Sequence, residues 1–147
     1  MPRGKQSGIR YCQKKQEGQS HTAQLIAIKR HLKEKHKILA KREPYLFFDL
    51  ERKLCKGPMD VVYEKEASHM YTIKNPDLLW IDKYGMWIIE VDGKVHDRFV
   101  EKTRKRNELF ISNHIKLIVV NLSDIKELGI NIYDYIDSQI MERIKNG

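Results

Sequence analysis

The sequence predicts an α/β fold with its elements in the order α-β-β-β-α-β, a mixed central sheet flanked by helices, and one more helix at the C-terminus. Three observations predict it: an apolar stripe of helical period from residue 20, β-branched and aromatic runs in succession between 59 and 93, and a helix, a nearly continuous apolar run and a second periodic helix after 97. At 147 residues, 41% of them hydrophobic, the chain has the size and apolar content of one domain with one core. Residues 20–147 are read as that domain and 1–19, polar, basic and Gly-containing, as a flexible arm.

Leu25, Ile28, Leu32 and Leu39 fall on one stripe of a 3.6-period helix that Ser20 or Thr22 can cap. His21, His31 and His36 lie on or beside this helix and, with "KRHLKEKHK" around the last two, read as solvated positions rather than metal ligands. Residues 43–54, "EPYLFFDLERKL", read as a loop and a short helix ended by "KGP" at 56–58. "MDVVYEK" (59–65), "MYTIKNPDLLWID" (70–82) and "MWIIEVDG" (86–93) read as an antiparallel meander, the short "KYG" connection forcing a hairpin between the last two. Residues 97–113 are helical, and "IKLIVVNL" (115–122) suits a central strand covered on both faces. Ile132, Ile136, Ile140 and Ile144 then define an amphipathic closing helix.

The chain carries 28 Lys plus Arg against 20 Asp plus Glu, a net charge of +8, which suits either a polyanionic partner such as nucleic acid or simply a solvated basic surface. Cys12 and Cys55 belong to no metal-binding spacing, so neither a zinc site nor a disulfide framework is expected. No stretch has the length and apolarity of a signal peptide or membrane span, and a soluble, cytoplasmic protein is expected.

Against this basic background, "PDLLWIDKYGMWIIEVDGKVHD" (76–97) gathers carboxylates. Side chains alternate along a strand, so Met86, Ile88, Glu90 and Asp92 share one face, while the hairpin brings Asp77 alongside. Three acids converging in this way repel one another, and each is harder to ionise unless a cation sits between them. Mg²⁺ suits such a site, because it takes a few carboxylates and keeps several waters. The alternative is that these are ordinary strand-end and turn residues, Asp92-Gly93 being a common turn pair.

Pro76-Asp77 followed by Glu90-Val91-Asp92 resembles the signature of the PD-(D/E)XK nuclease superfamily, and the α-β-β-β-α-β order resembles its restriction-endonuclease-like core. Asp92 stands where that signature has Lys. "EVDGKVHD", followed by a helix with "KTRKRN", is similar to the very-short-patch-repair-like and EDxHD homing endonucleases, whose pattern falls on Glu90, Asp92, His96 and Asp97. "TAQLIAIKRHL" (22–32) is similar to that branch's first helix, with Gln24 where a Glu is usual. The resemblance implies a metal-dependent DNA endonuclease. In it Asp77, Glu90 and the Val91 carbonyl hold Mg²⁺ or Mn²⁺, and Asp92 is a further ligand or an acceptor that orients a water there. His96, with an ordinary pKa near 6.5, would move protons or else merely cap the next helix. Lys94 either replaces the missing Lys or is solvated, and Asp97 caps the helix, supports His96, or both.

Arg98, Lys102 and Lys105 share a face of that helix, flanked by Arg104 and Arg106, and could hold a DNA backbone. The same resemblance covers repair, junction-resolving, homing and restriction enzymes, and leaves a homodimer open. A basic nucleic-acid-binding protein without catalysis is the competing reading, supported by Asp92 and Gln24 standing in place of the family's Lys and Glu.

Overall fold

The computed structural model describes residues 20–63, 69–93 and 97–146, without the side chains of Asp97 and Arg98. The arm at 1–19, Lys94 and His96 therefore lie outside the described residues, as do those two side chains.

The first helix, α1 (His21–His36), starts where the capping signal put it: the Ser20 hydroxyl accepts the Ala23 N–H at 3.1 Å. Leu25, Ile28 and Leu32 are buried along its stripe. Leu39 is not part of it. Lys37 turns left-handed (φ 59°), and the Lys37 and Ile38 amides close onto the Lys33 and Leu32 carbonyls, ending the helix and leaving Leu39 75% exposed.

Residues 43–54 hold strand rather than helix. β1 (Lys41–Arg42), β2 (Tyr45–Phe48) and β3 (Leu54–Met59) follow in succession, with "KGP" inside β3 instead of breaking the chain. Asp49 makes the β2–β3 hairpin, since its Oδ1 accepts the amides of Glu51 (2.9 Å) and Lys53 (3.0 Å) that a helix would have used. Gly57 permits the close pairing: its φ is +112°, and a Cβ there would stand 2.5 Å from the Tyr45 carbonyl oxygen. Gly57→Ala is accordingly expected to destabilise the protein by about 2–4 kcal/mol, measurable by urea unfolding as a lower midpoint at unchanged slope.

The expected strand at 59–65 is a second correction, because among the described residues of that run only Met59 belongs to a strand and 60–63 are irregular. The run at 70–82 is a third. It divides into β4 (Thr72–Lys74) and β5 (Leu78–Asp82), which join different sheets. The break falls at Asn75-Pro76, where the Asn75 amide donates to the Glu43 and Pro44 carbonyls and Pro76 has no N–H to offer a ladder. The three-residue-run meander therefore does not form, but its hairpin does. β5 pairs antiparallel with β6 (Gly85–Asp92), from Leu78↔Ile89 to Asp82↔Gly85, and Asp82 Oδ1 fixes the turn by accepting the Tyr84 N–H at 2.8 Å and the Trp87 indole N–H at 2.9 Å.

After α2 (Asp97–Ser112) come β7 (Lys116–Asn121), the short α3 (Leu122–Leu128) and α4 (Ile132–Asn146). The mixed four-stranded sheet has the order β1-β5-β6-β7, with β6 and β7 parallel; a small antiparallel sheet has the order β3-β2-β4. Elements of the larger sheet and its helices thus follow in the order α-β-β-β-α-β, with β1 as first strand in place of 59–65. β7 lies at the edge of its sheet and not at the centre. Its apolar run reflects cover on both faces: Ile118 and Val120 pack with α1, α3 and α4, while Leu117 packs with α2 and β2. The same division runs through β6, where Trp87, Ile89 and Val91 face α1 and α4, and Met86 and Ile88 face α2. No helix among the described residues is long and apolar enough to cross a membrane.

Candidate active site

Because Glu90 and Asp92 continue the face of Met86 and Ile88, both carboxylates point to the α2 side of the sheet, at the end of the central strand β6. Asp77 stands one residue before β5, and the hairpin register sets it beside Glu90. Its N–H donates to Glu90 Oε1 at 3.1 Å.

Asp77 is fixed from four directions. Besides that bond, its Oδ2 accepts the Val91 N–H at 2.7 Å, its carbonyl accepts the Glu43 N–H at 2.9 Å, and its Oδ1 lies 3.0 Å from His21 Nε2 at the start of α1. His21, its side chain 40% exposed, is thus bonded to the acid next to the sheet. Val91 meets the group through its amide.

Glu90 is the one charged residue among the buried side chains described, at 5% exposure. Burial pushes its pKa up to about 8, with the charge of Asp77 adding to the rise and that of Arg106 opposing it. Arg106 comes from α2, and its guanidinium lies 3.5 Å from Glu90 Oε2 and 3.1 Å from Asp92 Oδ2. Its partly buried side chain is turned towards the sheet, not outwards to a DNA backbone. Arg104 is also engaged, in ion pairs with Glu101 and Glu108 of its own helix. Lys102 and Lys105 are exposed.

The sequence reading overlooked a further basic group. Burial lowers the proton affinity of Lys74 on β4, and the positive charges of Lys102, Arg106 and Arg52 lower it further, while Glu90 works against them. Four cations from β4, α2 and the β2–β3 hairpin thus share one electrostatic neighbourhood with the buried carboxylate. Arg106 had a sequence signal, since it sits three and four residues before the buried Leu109 and Phe110 and so shares their helix face. His21 and Lys74 had none, because their partners are set by the pairing of distant elements.

The donor set suits a hard divalent cation: two adjoining carboxylates, one of them buried with its charge incompletely offset. Asp92 stands apart from the pair, both of its oxygens turned to Arg106. The arrangement can hold an anion-compensating metal between Asp77 and Glu90 and a phosphate against the surrounding cations. The chain matches no protein-family model, no curated protein and no solved structure.

Proposed function

We propose that the protein is a metal-dependent DNA endonuclease. The observation that carries this reading is the buried Glu90 beside Asp77, an under-compensated carboxylate pair with the Arg106 guanidinium 3.5 Å from Glu90 and Lys74 within reach of the same carboxylate's charge. Asp77 and Glu90 would hold Mg²⁺ or Mn²⁺, which supplies an activated nucleophile and neutralises charge on the scissile phosphate. Asp77 is positioned for this by Val91, Glu43 and His21, and Arg106 holds Asp92 turned aside from the pair. Lys74 and Lys102 draw the DNA backbone towards a group that would otherwise repel it. Lys94, His96 and Asp97 follow within five residues of Asp92 in the sequence, and His96 is the one proposed to move protons.

One observation favours a second reading, a basic nucleic-acid-binding protein without catalysis. Arg106 already lies against Glu90 and Asp92, where it can act as a permanent counter-ion in place of a metal.

The deciding experiment incubates the protein with plasmid, mismatched duplex and branched DNA, with and without Mg²⁺ or Mn²⁺, beside Asp77→Asn and Glu90→Gln. Wild type is expected to cut at least one substrate only with metal. Each variant should be slower by roughly 10²–10³-fold, the scale of losing several kcal/mol of charge stabilisation. Absence of cutting by wild type, or equal cutting by the variants, rejects the endonuclease; binding without cutting leaves the second reading. In the same assays Lys102→Ala with Lys105→Ala should weaken binding and flatten its salt dependence by about one unit of slope per lost phosphate contact.

A further inference from the structure

We propose that His31, His36 and Asp137 form a second metal site, for Zn²⁺ or a similar borderline transition ion, that fastens the end of α1 to α4. Nothing in it overlaps the carboxylates of β5 and β6, and it does not depend on the endonuclease reading.

Both imidazoles aim at one atom. His31 Nε2 lies 2.8 Å and His36 Nε2 2.7 Å from Asp137 Oδ1, and one ligand atom from each of the three residues falls within 4.8 Å of the others. The three side chains are 21%, 17% and 13% exposed, so the histidines are not solvated as their lysine-rich surroundings suggested. Packing holds them in place. The His31 ring lies 5.0 Å from that of Tyr133 on α4 and edge-on to His36 at 5.9 Å, and Asp137 is anchored beside the buried Ile136.

Two imidazole nitrogens and one carboxylate oxygen are the donor set of zinc sites that keep a fourth position for water. Imidazole also selects against Mg²⁺, which prefers oxygen. Without an ion, a ring nitrogen facing a carboxylate oxygen must carry a proton. With an ion, each imidazole moves that proton to Nδ1 or releases it, and two N–H···O bonds give way to two N–metal bonds and one O–metal bond. Metal–ligand lengths of about 2.0–2.2 Å at tetrahedral angles separate the donors by roughly 3.3–3.5 Å. Each imidazole nitrogen therefore needs to part from Asp137 Oδ1 by about 0.6 Å, within reach of side-chain torsions.

Lys35 defines the binding mode. Its Nζ holds Asp137 Oδ2 at 2.7 Å, which leaves Oδ1 as the single oxygen presented to the ion. Burial would make Asp137 harder to ionise, but hydrogen bonds from Lys35, His36 and His31 outweigh it and keep the group well below the usual carboxylate range. An ion here would join residues 101 and 106 positions apart in sequence, a cross-link between two helices that pack on the same face of the sheet.

The test uses metal-stripped full-length protein carrying Asp77→Asn and Glu90→Gln, in excess Mg²⁺, so that the oxygen-rich site takes no part. Zn²⁺ titrated by calorimetry should bind as one equivalent and raise the melting temperature by about 5–10 °C at a hundredfold excess over its Kd. Co²⁺ should give tetrahedral visible bands without thiolate charge transfer, which separates this site from Cys12 and Cys55. The Nε2 nitrogen signals of His31 and His36 should shift on adding Zn²⁺, a readout in which neither histidine is replaced. His31→Gln with His36→Gln should abolish the thermal shift while the metal-free variant still unfolds cooperatively. The proposal is overturned if Zn²⁺ leaves the melting temperature unchanged, if the shift survives the double His replacement, or if only other histidines respond.

Discussion

Without divalent metal, the wild-type protein is expected to lose stability as the pH rises from about 5 towards 8 and beyond, and Glu90→Gln to lose much less. The sign follows from the direction of the Glu90 shift. In the unfolded chain the carboxyl ionises near its ordinary value of about 4.3, whereas in the fold burial keeps the proton on up to about 8. Between those values the folded state binds more protons than the unfolded one, so stability falls with rising pH. The stabilisation is complete below the lower value and gone above the upper. At 1.36 kcal/mol per unit, and with Arg106 and Asp77 sharing the titration, the loss is on the order of 3 kcal/mol, or about 10 °C in melting temperature for a chain of this size. Gln keeps the amide-accepting oxygen that Asp77 uses but has nothing to ionise, so the difference between the two proteins isolates Glu90 from every other group. Mg²⁺ should restore wild-type stability at pH 8 and do little at pH 5, because it binds the ionised pair. Parallel pH profiles for wild type and Glu90→Gln would remove the buried-carboxylate premise of the metal site.

What the sequence made legible depended on how local the determining contact was. Ser20 as a cap, the hairpin between Ile81 and Met86, and the shared face of Glu90 and Asp92 all follow from contacts within a few residues, and the structure has each of them. The end of α1 is not legible because Leu39 keeps the helical period by coincidence, two residues after Lys37 has begun to turn the chain away. The stretch that holds β2 reads as a loop and short helix because one partner of β2 is distant: it pairs with β4, joining Leu46 to Lys74. An apolar run such as Lys116–Asn121 reports cover on two faces but carries no information on how many strands lie beside it. The site divides in the same way. Asp77 and Glu90 were found because a hairpin joins them, whereas His21 meets Asp77 across 56 positions and Lys74 meets α2 only through the second sheet. Both were invisible to spacing arguments. The histidines of α1 were misread for a related reason, since their partner Asp137 lies on the last helix.

Arg106→Met is expected to destabilise the protein by about 3 kcal/mol at pH 8 and to separate the two functional readings. Its guanidinium faces Glu90 Oε2 at 3.5 Å and both oxygens of Asp92, at 3.1 and 3.4 Å, while the side chain is largely covered. Removing one partner of a buried ion pair leaves the other uncompensated, and that typically costs 3–5 kcal/mol. The loss should shrink at pH 5, where Glu90 is protonated in the fold and no longer needs the cation. A double-mutant cycle with Glu90→Gln should accordingly give a coupling of about 1–3 kcal/mol at pH 8, and a smaller one at pH 5. Met retains most of the aliphatic length of the Arg side chain, so the comparison is of charge rather than volume. The two readings then diverge over metal. If Asp77 and Glu90 form a metal site, Arg106 competes with the ion for Glu90, and its removal should tighten Mg²⁺ binding and let Mg²⁺ recover much of the lost stability. If Arg106 is the permanent counter-ion of a fold that binds nucleic acid without cutting it, Mg²⁺ will rescue neither the variant nor the wild type at pH 8. Melting curves of both proteins over a Mg²⁺ series decide between these outcomes without any substrate, and so independently of whether the right DNA has been offered for cleavage.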